Sequence, residues 1–247
     1  MSSDITELLR EWPYDPDDNT RIVSAADGRS VLQVRQPLGI EQYELEGRPD
    51  GAHPLGFDTI IEAIDARLTE HKDEHGTDEA FRLDHDDCAE MHSEGILFYY
   101  RYLLLFQLRD YERVTRDTVH NLHICELLEH YCDDEEDRNA VLQFKPYILR
   151  MNAVSRAMAS MQDGKHADAR AIINRTIAEI RELEEIDTPA FQFERIRSIN
   201  YLNTTLEEID ENEPDPITRL SAQLKDAVEN EDYERAATLR DRIRDLS

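Results

Sequence analysis

Lysine is scarce in this chain. Only Lys72, Lys145, Lys165 and Lys225 stand among 28 basic residues, against 55 Asp and Glu, for a net charge of −27 over 247 residues. A surface that negative repels phosphate backbones and anionic lipid, so direct binding of nucleic acid or membrane is not expected. The lysine-poor, acidic balance itself is the ordinary outcome of a salty habitat or a GC-rich genome, rather than the mark of an acidic binding face. Cysteine is also rare: Cys88, Cys125 and Cys132 are odd in number and form no CxxC pair, which argues against a disulfide framework. Long apolar runs are missing. The best, residues 96–106, is interrupted by Arg101 and is too short to span a bilayer. The start of the chain lacks the basic and apolar segments of a signal peptide, and a cytoplasmic protein is expected.

What is present falls into three zones. Residues 1–57 hold five of the nine prolines and most of the glycines. There, Arg21-Ile-Val-Ser24 and Ser30-Val-Leu-Gln-Val-Arg35 flank Ala26-Asp27-Gly28, a β-hairpin pattern. A third strand is expected over residues 39–45, followed by a dense turn segment over residues 46–56. Trp12, the single tryptophan, is expected to anchor this arm to the body. Residues 58–210 are helical by pattern. Asp58 is the expected N-cap of a helix over residues 59–70, and residues 71–77 are expected to be a polar loop. Further helices are expected over residues 90–108, 111–132, 137–162, 166–185 and 189–209, and residues 211–216 read as a linker. The joints near Asp110 and Gly164 are similar to those of tetratricopeptide hairpins, but no full repeat can be laid out. The expected fold is therefore mainly α: an irregular antiparallel helical array with a small N-terminal β-hairpin arm.

Chemistry-bearing groups are dispersed. His85, Cys88 and His92 could share one helix face, and His120, His123 and Glu126 recur on another, which would suit zinc or iron. The i+3 spacing drifts around a helix, however, and scattered histidines are the commoner reading. The Gly47-Arg-Pro-Asp-Gly51 segment could cradle an anion, with Arg35, Arg48 and His53 as contacts. A plain connector with two tight turns is favoured. The aromatics of residues 94–108, among them Phe98, Tyr99, Tyr100, Tyr102 and Phe106, suit a core or a peptide groove, with a core preferred. No spacing singles out a nucleophile and base, and no cofactor, metal or catalytic residue is expected.

The third zone, residues 214–247, carries the sharpest pattern. Leu220, Leu224, Ala227 and Val228 form one helical stripe. Asn230-Glu-Asp232 makes a turn, with Asp232 placed to cap a second helix. Tyr233, Ala236, Ala237, Leu239, Ile243 and Leu246 fill that helix's broad apolar face, and Arg240 projects inside the same arc, where it needs a carboxylate or must reach outward. Two short helices bury too little apolar surface to stand alone, so the hairpin must pack on its own chain, on a second copy or on a partner.

The Tyr233-Glu-Arg-Ala-Ala-Thr-Leu-Arg-Asp-Arg-Ile243 core resembles the UVR motif, found at the ends of the excision-repair proteins UvrB and UvrC and in the Clp-type regulators McsA and ClpC. Gly47-Arg-Pro-Asp-Gly51 and Arg101-Tyr-Leu-Leu-Leu-Phe106, followed by Arg109-Asp-Tyr111, are similar to segments of bacterial UVR-containing proteins, a likeness that carries no activity with it. The resemblance implies a helical hairpin that pairs with a UVR hairpin on another protein. It does not extend to the GxxxxGK[ST] loop of UvrB, to nuclease modules of UvrC or to the CxxC zinc pairs of McsA, none of which is in the sequence. The expectation is a non-enzymatic bacterial interaction protein. Its partner-binding residues would be Leu220, Leu224, Tyr233, Ala236, Ala237, Leu239, Arg240, Asp241 and Ile243, and its partner a UVR-bearing repair or Clp-type protein, or a second copy as a homodimer. The alternative is a metal- or anion-binding helical domain with an enzymatic activity.

Overall fold

The computed structural model describes residues 4–212, 216–230 and 232–246. Within them the chain is mainly helical, with a three-stranded antiparallel sheet near its N-terminus. A short helix α1, Thr6–Glu11, which the sequence pattern does not announce, precedes β1, Thr20–Ser24, β2, Ser30–Gln36, and β3, Gly39–Glu44. The expected hairpin and third strand are both present. Ser24 pairs with Ser30 across a turn in which Gly28 takes φ 90°, a conformation cheap only for glycine. Gln36 pairs with Gly39 across the tight Pro37-Leu38 turn.

Trp12 does not bind the arm to the helices. Its ring lies 3.9 Å from the Arg21 guanidinium of β1, and its carbonyl accepts from Arg35 Nε at 2.7 Å. The sheet is held to the body instead by β2 and the residues after β3. Leu32 and Leu45 are buried with Tyr102, Leu105, Val114 and Met151 in one apolar cluster.

The body comprises α2, Ile60–His75; α3, His85–Gln107; α4, Tyr111–Tyr131; α5, Glu135–Leu142; α6, Lys145–Gln162; α7, His166–Glu182; and α8, Pro189–Asn212. The chain then ends in α9, Pro216–Glu229, and α10, Tyr233–Leu246. Helix α3 packs on α4, α4 on α6, and α6, α7 and α8 on one another. Two large apolar clusters fill the body: one under α2, α3, α4 and α5 around Ile64, Met91 and Leu128, the other among α6, α7 and α8 around Ile173, Ile180 and Leu202.

Several boundaries differ from the sequence reading, each for a local reason. Thr59, not Asp58, caps α2, accepting from the Glu62 amide at 3.2 Å. The expected loop over residues 71–77 is largely helix: α2 continues to His75 and stops at Gly76, whose φ of 75° supplies the left-handed C-cap. Helix α3 begins at His85, ahead of the expected residue 90, because Asp84 and Asp87 close a reciprocal capping box. The single helix expected over residues 137–162 is two. Pro146 in the first turn of α6 has no amide to continue a helix through Phe144. The expected linker over residues 211–216 is helix at Glu211 and Asn212 and again from Pro216, and its middle lies outside the described residues.

One brace of the body carries a histidine whose charge it favours. His123 Nε2 on α4 lies 3.0 Å from an Asp65 carboxylate oxygen on α2, with Glu126 at 3.3 Å from Nδ1. Partial burial opposes the charged ring, but the two carboxylates outweigh it and raise the His123 pKa. A raised folded-state pKa gives stability that is fully present below the unfolded value, about 6.5, and is lost as pH rises through the folded one. Thermal melts of the native chain and His123→Gln should therefore differ most below the unfolded value, about 6.5, and converge as pH rises through the raised folded one; a gap that widens with pH would contradict this assignment.

Candidate docking hairpin and other candidate sites

Helices α9 and α10 pack on each other through a small core of their own, in which Ala227, Ala236 and Leu239 are buried and Leu220 and Leu224 partly so. The small side chains of Ala227 and Ala236 let the two backbones approach. Asp232 caps α10 as the sequence implies, accepting from the Arg235 amide at 3.2 Å. Before it, the Asp232 amide donates to the Ala227 carbonyl and the Asn230 amide to that of Asp226, which closes the end of α9. Residue 231 lies outside the described set.

The broad apolar arc of α10 divides into two faces. Ala236, Leu239 and Ile243 turn toward α9. Tyr233 and Ala237 turn outward, Tyr233 with 68 % of its surface exposed. Arg240 shares that outward face rather than sitting within the hairpin. Its guanidinium is exposed and lies 3.3 Å from Asp241, which also lies 3.5 Å from Arg244. Arg240 thus finds its carboxylate one residue away while the head stays in water. Arg235, Arg240, Arg242 and Arg244 are all exposed, but by helical spacing only Arg240 and Arg244 share the side of Tyr233, while Arg235 and Arg242 lie on the opposite side of α10. Val228 adds an exposed apolar side chain at the end of α9. The side chain of Leu246, which the sequence reading placed on the apolar face, lies outside the described set.

The other sequence candidates do not converge. His85 pairs with Asp137 at 2.9 Å on a solvent-facing edge, while Cys88 is buried with its Sγ 3.4 Å from that of Cys132. His92 lies further along α3 at the rim of a cavity. His120 and His123 belong to separate clusters: His123 faces Asp65, whereas His120 stacks on Phe98 with ring centroids 3.6 Å apart and reaches Glu94 at 3.0 Å. No group of three or more His, Cys, Asp or Glu with metal-binding geometry occurs among the described residues.

The proposed anion contacts are likewise dispersed. Arg35 is occupied by the backbone carbonyls of Trp12, Gln36 and Gly39. Arg48 faces Asp50 and Glu94, and His53 faces Asp58. The Gly47-to-Gly51 segment is a docking loop for the protein's own body. Arg101 of α3, buried, makes a two-pronged pair with buried Asp117 of α4 at 2.7 and 2.8 Å. Its remaining nitrogen donates to the Glu44 and Gly47 carbonyls at 2.8 Å each. Buried Glu94 accepts from the Ile60 amide at 2.8 Å and faces Arg48 at 3.3 Å, so the same segment is also tied to the start of α2.

The aromatics of α3 split between two duties. Phe98 and Tyr102 are buried, whereas Tyr99, Tyr100 and Tyr102 line a cavity of about 500 Å³ that the sequence reading did not find. Its other walls come from α4, α6 and α8, and residues that far apart in sequence leave no joint signal in it.

No helix among the described residues is long and apolar enough to cross a membrane. By fold the chain is a helical protein with a sheet-bearing arm and a terminal helical hairpin that keeps its own core. That hairpin is where the comparison with known families falls: the model of the UvrB/uvrC motif, UVR, matches residues 215–247. No curated protein and no solved structure matches the chain.

Proposed function

We propose that the chain is a non-enzymatic docking protein whose α9–α10 hairpin holds a partner bearing a hairpin of the same kind, either a repair or Clp-type protein or a second copy of itself. The observation that carries this reading is the division of α10 into two faces. One closes the hairpin; the other leaves Tyr233 and Ala237 exposed beside Arg240. A tyrosine flanked by small residues and an arginine is the composition of an interface anchor. Arg240 and Arg244, exposed on the side of Tyr233, favour an acidic facing surface and fix orientation more than affinity.

The test is affinity capture and sedimentation of the purified full chain beside a version ending at Glu213. Capture or self-association that depends on the tail supports docking through it; identical behaviour of the two chains removes that reading. Within the docked complex, Tyr233→Ala should weaken binding by about 2 kcal/mol, roughly thirtyfold, as for an interface hot spot. Leu239 and Ala236 are poor sites for this experiment, because their loss opens the hairpin itself.

A further inference from the structure

The cavity among α3, α4, α6 and α8 is built unlike a packing defect. Its floor is apolar and aromatic, with Ile124, Ile148 and Tyr102 buried, and the rings of Tyr99 and Tyr147 centred 5.8 Å apart on its wall. Its mouth carries exposed Ile96, Tyr100 and Phe144. At about 500 Å³ it lies in the range of ordinary small-molecule sites.

Three of its lining residues hold a polar atom that is shielded from solvent and has no hydrogen-bond partner in the protein: the Tyr102 hydroxyl, Asn121 Oδ1 and Glu194 Oε2. Tyr102 is fully buried and Asn121 is 5 % exposed. Buried polar groups are almost always paired, and three orphans from three helices lining one cavity are an arrangement that a ligand satisfies. Gly95 makes the room. It sits inside α3, where alanine would suit the helix better. A Cβ there would come within 3.4 Å of Ile124 Cδ1 and 3.8 Å of Asn121 Oδ1, in front of the acceptor.

The polarity of the orphans defines the ligand. Asn121 has already committed its amide nitrogen to the Gly95 carbonyl at 2.9 Å, so its free atom can only accept. Glu194, as a carboxylate, also only accepts. A complementary molecule must therefore donate at least two hydrogen bonds. It need not be a cation: Glu194 is already flanked by Arg197 at 3.5 Å and by buried Arg150 at 3.7 Å, the latter too far for a hydrogen bond. Two guanidiniums beside the carboxylate disfavour an ammonium, and the tyrosine walls suit a flat ring. We propose that this cavity binds a planar, neutral heteroaromatic molecule of nucleobase size that presents N–H donors, with Asn121 and Glu194 as acceptors, Tyr102 as a hydroxyl partner and Tyr99 and Tyr147 as the stacking wall.

Calorimetry on the full chain with adenine, 2-aminobenzothiazole and quinoline decides it. All three are flat bicycles, but only quinoline lacks an N–H donor. Saturable one-to-one binding of at least one amino compound, tenfold or more tighter than quinoline, is the expected result. Asn121→Leu should weaken that binding at least tenfold. Gly95→Ala, which favours the helix while narrowing the site, should weaken it with no loss in melting temperature, so a failure to fold cannot imitate the effect. No saturable binding of either amino compound at millimolar concentration, equal binding of quinoline, or binding indifferent to both substitutions would each overturn the proposal and leave a water-filled or merely apolar void.

Discussion

Asp117→Ala is expected to destabilise the fold by about 3–5 kcal/mol, the cost typical of stripping one partner from a buried ion pair. Arg101 and Asp117 are both fully buried. Removing the carboxylate strands the guanidinium, whose Nε and one Nη lose their acceptors at once. The remaining Nη bonds to Glu44 and Gly47 cannot neutralise the charge. Because those bonds hold the segment after β3, the damage should spread to the sheet: Leu45 and Leu32 share a cluster with Tyr102 and Val114. Urea unfolding reads this as a lower midpoint at nearly constant slope. A double replacement, Arg101→Met with Asp117→Leu, removes both charges and should recover the part of the loss due to the stranded guanidinium, but not the bonds to Glu44 and Gly47. If Asp117→Ala costs less than about 1 kcal/mol, in the range of a surface pair, the pair is not the clamp described above.

The second large effect is expected at the other end of the chain. Leu239→Asp should melt the α9–α10 hairpin while leaving the body's melting temperature unchanged. Leucine burial contributes about 1.5–3 kcal/mol, and a buried carboxylate adds a further penalty. Among the described residues the hairpin core has only Ala227, Ala236 and Leu239 as buried members, so little else offsets that loss. Circular dichroism should fall by the share of two 14-residue helices, and docking through the tail should vanish. A body that melts earlier in the same variant would mean that the hairpin core is not independent. Tyr233→Ala provides the contrast: weaker docking, with the helical signal retained.

Much of this was legible in the sequence because it rests on local chemistry. Asp232 and Asp110 cap helices where their positions before apolar stripes imply. The strands around Gly28 follow from alternation and a turn glycine. The cap of α2 falls on Thr59 rather than Asp58 because adjacent acidic and hydroxyl residues compete for one cap, while the earlier start of α3 rests on the Asp84–Asp87 capping box, which lies ahead of the apolar stripe. Pro146, in the first turn of α6, is the local reason that residues 137–162 are two helices. Arg240 meets both conditions its place in the apolar arc sets, a carboxylate and an outward head; a helical wheel does not show how much of that arc the neighbouring helix covers. The Arg101–Asp117 clamp and the cavity join residues from separate elements, and no periodicity within one segment encodes such meetings.

The separate core of the terminal hairpin has a consequence for affinity. A binding element with little stability of its own is folded only part of the time, and its apparent dissociation constant is the intrinsic one divided by the folded fraction. Substitutions that never touch a partner can then strengthen binding simply by raising that fraction. Exposed positions flanking the buried stripe of α9, such as Ser221 or Gln223, would act as gain controls, tuning occupancy while the contact surface itself stays unchanged.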